Sequence, residues 1–456
     1  MKRLFLIFVT IIATSCSFDN KTGIWKDASN IPVDKQDTNS IENNNSKNQY
    51  EDIFIKNKIF NEEKESFNTS GFEIDAPVKI ANWLQQFAIS TNNISNFSYS
   101  GKKKLLYKSS KLSRFSSTKN YSNRNIIFYE DNLITYDHKG TIFIYSLSLN
   151  KKIFKYNFYK KNFKKFEKKI YLIIKEDTLY AADNLGYLYA INLNSKLLIW
   201  AKNYGIPFRS NLKIVNEQIF LANQDNVIYS ININTGDKNW QFSTTITFLK
   251  SDFENSIALD EVSNSLYFLN TSGELYSINY LTQKINWVLN FKNPSTAGDT
   301  NLFLSQPVVI KNNNLIITTE KAILSYDIIS ASRNWIFASG SILKPVVTTN
   351  YTYIVTKNDL FICLENKTGE VIWSKNIYKN LQNKKIKKIG KFYDFKIANK
   401  KLNLFSKNGY LLSFNHSNGN LDYLKKISKK GINSKIIFIK DNMFLIDNNN
   451  KLLKYN

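Results

Sequence analysis

Leu188-Tyr189-Ala190-Ile191-Asn192-Leu193-Asn194-Ser195-Lys196-Leu197-Leu198-Ile199-Trp200 reads as a strand, a turn and a second strand carrying an aromatic. Apolar and aromatic residues suit a pleated, buried surface, and the Asn-rich centre suits the turn. The unit recurs. Ile191 and Trp200, Ile231 and Trp240, Ile278 and Trp287, Tyr326 and Trp335, and Leu364 and Trp373 all stand nine positions apart. The same ruler finds weaker copies at both ends, Leu147 with Tyr156 and Phe414 with Tyr423. Successive aromatics then lie 38–50 residues apart. A further apolar stretch precedes each pair, such as 218–222 or 314–318, so the unit holds four short strands. That is the period of a β-propeller blade. One such unit cannot bury both of its faces, so the units must stack radially.

Closing the ring sets the blade number. Residues 435–455 hold three strands without a terminal aromatic one, and the apolar segment Asn82-Trp83-Leu84-Gln85-Gln86-Phe87 stands unpaired near the start. If that segment completes the last blade, the ring has eight blades, seven whole and one shared, and leaves no sheet edge there. The expectation is an all-β, eight-bladed propeller over 81–456, closed by an N-terminal strand. The recurrent aromatics are read as wedges between neighbouring blades.

The first residues have a different character. Lys2 and Arg3 precede an apolar run over 4–13 that is too short to span a bilayer, and Ala13-Thr14-Ser15-Cys16 follows. This resembles a bacterial lipoprotein lipobox, which implies a signal peptide over 1–15 and acylation of Cys16. Ser17 stands where an Asp would resemble an inner-membrane retention signal, so the expected place is the periplasmic face of the outer membrane. Residues 16–80 are expected to be a mostly disordered tether, rich in Asn, Ser, Lys, Asp and Glu. One island within it, 18–25, carries Phe18 and Trp25 at its ends with a turn signal between. It reads as a short docking motif or a membrane-proximal segment.

Composition excludes several classes. Lys+Arg 62 against Asp+Glu 37 makes a formal charge of +25, but the lysines are spread along the chain, so no nucleic-acid footprint is expected. Two Cys and two His leave no disulfide framework or Cys/His zinc site. The nucleophile-elbow, zinc-protease, P-loop and paired-Cys motifs are missing. His138 and His416 are read as solvated turn residues. The chain is therefore read as no enzyme, with no metal and no cofactor.

Residues 188–200 (LYAINLNSKLLIW), 228–240 (IYSININTGDKNW) and 360–373 (LFICLENKTGEVIW) resemble the repeats named after pyrroloquinoline quinone (PQQ) dehydrogenases. Two eight-bladed groups share them. Resemblance to the enzymes would imply a quinone on the axis, a Ca²⁺ and often a pair of adjacent Cys, a pair this chain lacks. Resemblance to the BamB-type lipoproteins of the outer-membrane β-barrel assembly machinery takes in the lipobox, a tether and a bare propeller. It implies a scaffold bound to the periplasmic domains of a BamA-like assembly barrel and held to the membrane by its lipid. The contact loops would follow Trp240 and Trp287, which places Phe248, Leu249, Lys250, Leu302 and Leu304 at the partner. Where that group has an acidic pair, this chain has Leu302-Phe303-Leu304. The alternative is a PQQ-dependent or other ligand-binding propeller enzyme of the periplasm.

Overall fold

The computed structural model describes residues 59–66, 72–113, 124–159, 163, 166–247, 249, 253–291, 302–379 and 381–456, and the backbone of 16–18 and 25–27. The signal peptide expected over 1–15 lies outside them. The chain divides into two units, 1–51 and 52–456. In the first, Cys16–Phe18 and Trp25–Asp27 pair as an antiparallel hairpin with Phe18 opposite Trp25. The turn signal inside the 18–25 island lies outside the described residues.

The second unit is a ring of eight four-stranded antiparallel sheets. Blades 1 to 7 span 127–157, 170–203, 213–243, 256–290, 309–337, 346–376 and 392–426. Blade 8 joins 437–455 to the early strand Leu105–Lys111. The middle strands of each blade, such as Leu360–Glu365, are buried at nearly every position, because both sheet faces meet another blade. The fourth strands, such as Leu198–Asn203, are half exposed. The core is accordingly not one cluster but a series of seam clusters. One example joins Tyr171, Ala190 and Trp200 of blade 2 to Ile219, Tyr229 and Ile231 of blade 3.

The recurrent aromatic is the seam. Trp200, Trp240, Trp287, Trp335, Trp373 and Tyr423 each face a small residue of the third strand (Ala190, Ser230, Ser277, Ser325, Cys363 and Ser413), and the register shifts immediately after that residue. Blade 1 follows the same rule with Phe154 opposite Ile144, so its seam aromatic is Phe154 and not Tyr156, which pairs with Ile142. A ruler anchored on Leu147 missed this by two positions because Leu147 sits inside the turn.

Four indoles donate across the seam to the outer turn of the next blade. Trp200 Nε1 reaches the Ile233 carbonyl (2.9 Å), Trp287 reaches Ile328 (3.1 Å), Trp335 reaches Asn366 (2.7 Å) and Trp373 reaches His416 (3.2 Å). Gly236 and Gly419 of those turns lie against the rings. Their φ values are positive, and a Cβ would stand 2.5 Å from the Trp200 or Trp373 ring. His416 is therefore not a solvated turn residue. Its carbonyl accepts an indole bond, and its ring packs edge-on to Phe72 at 5.9 Å.

A second repeated device is legible only in three dimensions. Between the second and third strands, a short polar side chain accepts backbone N–H groups ahead of it. Asp137, Asp183, Asn223, Asn270, Thr319, Thr356, Ser406 and Asp447 do so, one in each blade.

The ring closes through an N-terminal strand, as expected, but not the expected one. Leu105–Lys111 pairs with Lys451–Tyr455, while Trp83 is 2% exposed on the axis and bridges Phe128 of blade 1. A buried Trp in an apolar run mimics a seam strand, yet 82–87 makes only a single bridge. It belongs to an axial plug, 75–100, that bonds the innermost strand of every blade. Ile174 N–H donates to the Leu84 carbonyl, Leu259 to Ser90, Ile310 to Thr91 and Lys440 to Ile80, at 2.9–3.1 Å. Phe97 N–H donates to Ile397 (2.8 Å), Asn93 Nδ2 to Val347 (2.8 Å), and Lys213 Nζ to Asn92 Oδ1 (2.6 Å). Part of the span read as tether also lies on the propeller. Lys64 exchanges both backbone bonds with Ser374 at the open edge of blade 6, flanked by the ion pairs Glu63–Lys379 (2.6 Å) and Glu65–Lys375. An exposed edge strand attracts such pairing.

The seam bonds are testable because Trp240 is an internal control: its indole N–H is buried without a partner. Trp335→Phe should cost about 1–3 kcal/mol, as it leaves the Asn366 carbonyl unpaired, whereas Trp240→Phe should cost less than about 1 kcal/mol. Thermal melts followed by circular dichroism check this. Equal shifts for the two variants would remove the indole bond from the argument.

Candidate functional site

The two loops expected to hold a partner lie on the face where each blade's fourth strand crosses to the next blade. Of the five residues named, Phe248 and Lys250 lie outside the described residues. Leu249 is 47% exposed, Leu304 is 43% exposed, and Leu302 is half-buried. The structure brings the loops together on Thr271 of blade 4. Its hydroxyl meets that of Thr247 at 3.3 Å, and its carbonyl accepts the Phe303 N–H at 2.9 Å. Phe303, the middle residue of the apolar triplet, turns inward and stacks on Phe291 at 5.8 Å. That leaves Leu304 outward.

The sequence reading missed two neighbours. Ile246 and Ile342 are also exposed, and Gln306 Nε2 ties the second loop to the Ile342 carbonyl at 3.2 Å. Ile246, Leu249, Leu304 and Ile342 therefore follow one another over three consecutive inter-blade loops. Val262, Leu281 and Ile329 sit singly on hairpin tips, which is ordinary for a surface, while Leu197, Leu198 and Ile199 form an exposed run at the outer strand of blade 2, away from these loops. The missed signal was that each of three consecutive inter-blade loops carries at least one exposed apolar residue.

The same face opens onto an axial cavity of about 470 Å³. Trp83, Gln86 and Phe87 of the plug line it, together with residues that precede the innermost strands of several blades. Charge is concentrated here. Lys169 pairs with Glu254 at 2.5 Å; burial opposes its charge, but Glu254 holds it above the ordinary lysine range. Asp394 pairs with Lys396 at 2.8 Å. Burial would raise its pKa, yet Lys396 and Lys435 hold it below the ordinary carboxylate value. Burial pulls Lys344 down to about 7, with Lys396 adding repulsion that Asp394 partly offsets. Lys435 is also lowered by burial. Behind the floor, Lys213 is 1% exposed and bonds Gln85, Ile89 and Asn92. Burial, with Lys344 adding to it, pulls it well below the ordinary value.

Composition could not show this cluster, because these lysines look like any others. The signal was positional: Lys169, Lys344 and Lys435 each stand one or two residues before a blade's first strand. Among the described residues, no group of three or more His, Cys, Asp or Glu stands close enough to hold a metal. Cys363 is buried in a third strand, and its thiol is pushed well up by burial. The described residues therefore offer neither a carboxylate cluster nor the adjacent Cys pair that the dehydrogenase resemblance implies. No helix of the described residues is long and apolar enough to cross a membrane.

Comparison with known proteins adds the following. The family model described as outer membrane protein assembly factor BamB matches residues 160–375, essentially blades 2 to 6. The crystal structure of BamB from Moraxella catarrhalis is similar with a TM-score of 0.60 at 12% identity, covering 76% of this chain and 99% of that one. Quinohemoprotein alcohol dehydrogenases are similar to the same degree. That of Comamonas testosteroni has a TM-score of 0.61 at 7% identity, covering 83% of this chain and 81% of its own. That of Pseudomonas putida HK5 has 0.59 at 8%, covering 82% and 80%. At such identities the structural likeness shows the fold alone. Protein Ycf2 of Physcomitrium patens is 27% identical over 244 residues, and the chain spans 11% of its length.

The depressed lysine predicts a pH effect. The folded state holds Lys344 near 7 against an unfolded value of about 10.4. Between those values the unfolded chain binds more protons, so stability rises with pH. Lys344→Met should raise stability by about 1–2 kcal/mol at or below pH 7, once the charge's partial exposure to solvent is allowed for. The gain should close as pH approaches 10. Melts of both proteins from pH 6 to 10 check this, and a pH-independent difference would contradict the assignment.

Proposed function

We propose that the chain, a propeller whose residues 160–375 match the BamB family model, is a non-enzymatic scaffold lipoprotein of outer-membrane β-barrel protein assembly. It docks on the periplasmic domains of the assembly barrel through its inter-blade loop face. Acyl chains on Cys16 hold it at the periplasmic face of the outer membrane. The observation that carries this reading is the row Ile246, Leu249, Leu304 and Ile342. Contiguous apolar residues on loops cost solvation when exposed, and they mark interfaces.

The loop face lies outside the seams, so a variant there leaves the ring intact. Leu249→Ala with Leu304→Ala should weaken binding to the barrel's periplasmic domains by about 2–4 kcal/mol at unchanged melting temperature. The check is affinity capture from envelope membranes followed by titration with the purified domains. Normal binding by the double variant would move the contact face elsewhere. The axial cavity favours a second reading, a ligand-binding enzyme. Titration with PQQ and Ca²⁺ tests it, and saturable binding with dye-linked dehydrogenase turnover would overturn the scaffold reading.

Anchoring is tested separately. Cys16→Ala should release the protein from membranes, since one residue carries all the acyl chains. Retention through a high-salt wash would show another anchor, whereas retention at low salt alone would point to the +25 charge.

A further inference from the structure

Among its described lining residues, the axial cavity holds more lysines than carboxylates. Lys169, Lys344, Lys396, Lys407 and Lys435 line it against two carboxylates, Glu254 and Asp394. Both carboxylates are occupied within the wall. Glu254 holds Lys169 at 2.5 Å, while Asp394 holds Lys396 at 2.8 Å and accepts the Ile436 N–H at 2.9 Å. Lys344, Lys407 and Lys435 form no ion pair among the described residues. Lys344 Nζ donates to the Pro345 carbonyl (3.1 Å) and Lys435 Nζ to the Tyr393 carbonyl (2.9 Å), and Asp394, already paired with Lys396, offsets the two charges only in part.

The surroundings sharpen the imbalance. Trp83 and Phe87 give the floor an apolar character, and Lys344 stands 5.8 Å over the Phe87 ring. The Tyr393 hydroxyl, on another lining residue, is buried without a hydrogen-bond partner. Ammonium groups crowded into a concave recess repel one another, and they focus the field on whatever enters.

We propose that the axial cavity is a binding site for a small multivalent oxyanion of the phosphate class, held by Lys344, Lys407 and Lys435. Lysines act as compact point charges toward phosphate. Three lysines without a carboxylate of their own suit a di- or trivalent anion, whose charge favours the protonated form of Lys344, and about 470 Å³ accommodates one the size of pyrophosphate. The site shares a face with the apolar loop row, and Ile342 borders both, but the three lysines lie outside that row, so the site stands whether or not the row binds a partner.

Protonation follows from the same geometry. Asp394, Lys396 and Lys435 face Lys344 from the neighbouring elements, and Lys213 lies behind it. Burial keeps Lys344 near 7, so a bound anion takes up a proton there, and affinity rises as pH falls through 7.

The test is isothermal titration of the full chain with sodium pyrophosphate at constant ionic strength, at pH 6 and pH 8. One site per chain is expected, tighter at pH 6. Pyrophosphate also protonates in this range, so the decisive quantity is the difference between wild type and Lys344→Met. The variant should lose at least ten-fold in affinity and part of the proton uptake, without a lowered melting temperature. Lys435→Met should lose affinity similarly, while the exposed Lys151→Met should bind as wild type. Binding unchanged in Lys344→Met, or many weak sites that vanish with salt, would overturn the proposal. Phosphatidate vesicles serve as a second arm. Competition between vesicles and pyrophosphate would show that a lipid headgroup is a source of the anion. Vesicle binding without pyrophosphate binding would overturn the cavity site.

Discussion

The aromatic wedge between neighbouring blades is the contact on which this molecule depends. A four-stranded sheet with two apolar faces cannot bury either face by itself. Each Trp offers an area worth about 4–6 kcal/mol at about 25 cal/mol/Å², an upper figure because the unfolded chain already hides some of it. In four seams the indole adds a directed contact, its N–H reaching one carbonyl in the outer turn of the next blade, as Trp335 reaches Asn366 and Trp373 reaches His416. The small residue opposite each ring and the turn glycine beside it, such as Cys363 and Gly419 around Trp373, are the space that this contact requires.

A ring built from such wedges has a hole, and the innermost strands turn their backbone groups toward it. Residues 75–100 answer those groups blade by blade, and so close one end of the axis. The same segment then leads into Leu105–Lys111, which completes blade 8. One stretch of chain therefore both plugs the ring and locks it. Farther upstream, Lys64 covers the edge of blade 6. These contacts join parts of the chain from 45 (Trp83–Phe128) to 360 (Ile80–Lys440) residues apart, and many backbone bonds at once offset their loop-closure entropy.

With one end plugged, the other end is left for function. Its inter-blade loops are free of the seam constraint, so their length and composition vary while the strands do not. This is where the apolar row and the lysine-lined cavity both appear, on loops held by a rigid scaffold.

Some of this was legible in the residues. Nine positions between Ile191 and Trp200, repeated along the chain, specified strands, blade period and wedge, because a four-stranded unit with a fixed bulge has a fixed offset. Eight blades and an N-terminal closing strand followed from counting. The identity of that strand did not. Trp83 carries the same local pattern as a seam residue, and only its position on the axis assigns it to the plug. Phe154 likewise needed the pairing register to displace Tyr156. Exposed loop leucines were visible as apolar residues outside strands, but the row they form with Ile246 and Ile342 depends on which loops are neighbours. The lysine cluster was hidden altogether. Composition sees charge summed along the chain, whereas repulsion and desolvation depend on distance and depth, which tertiary structure alone sets.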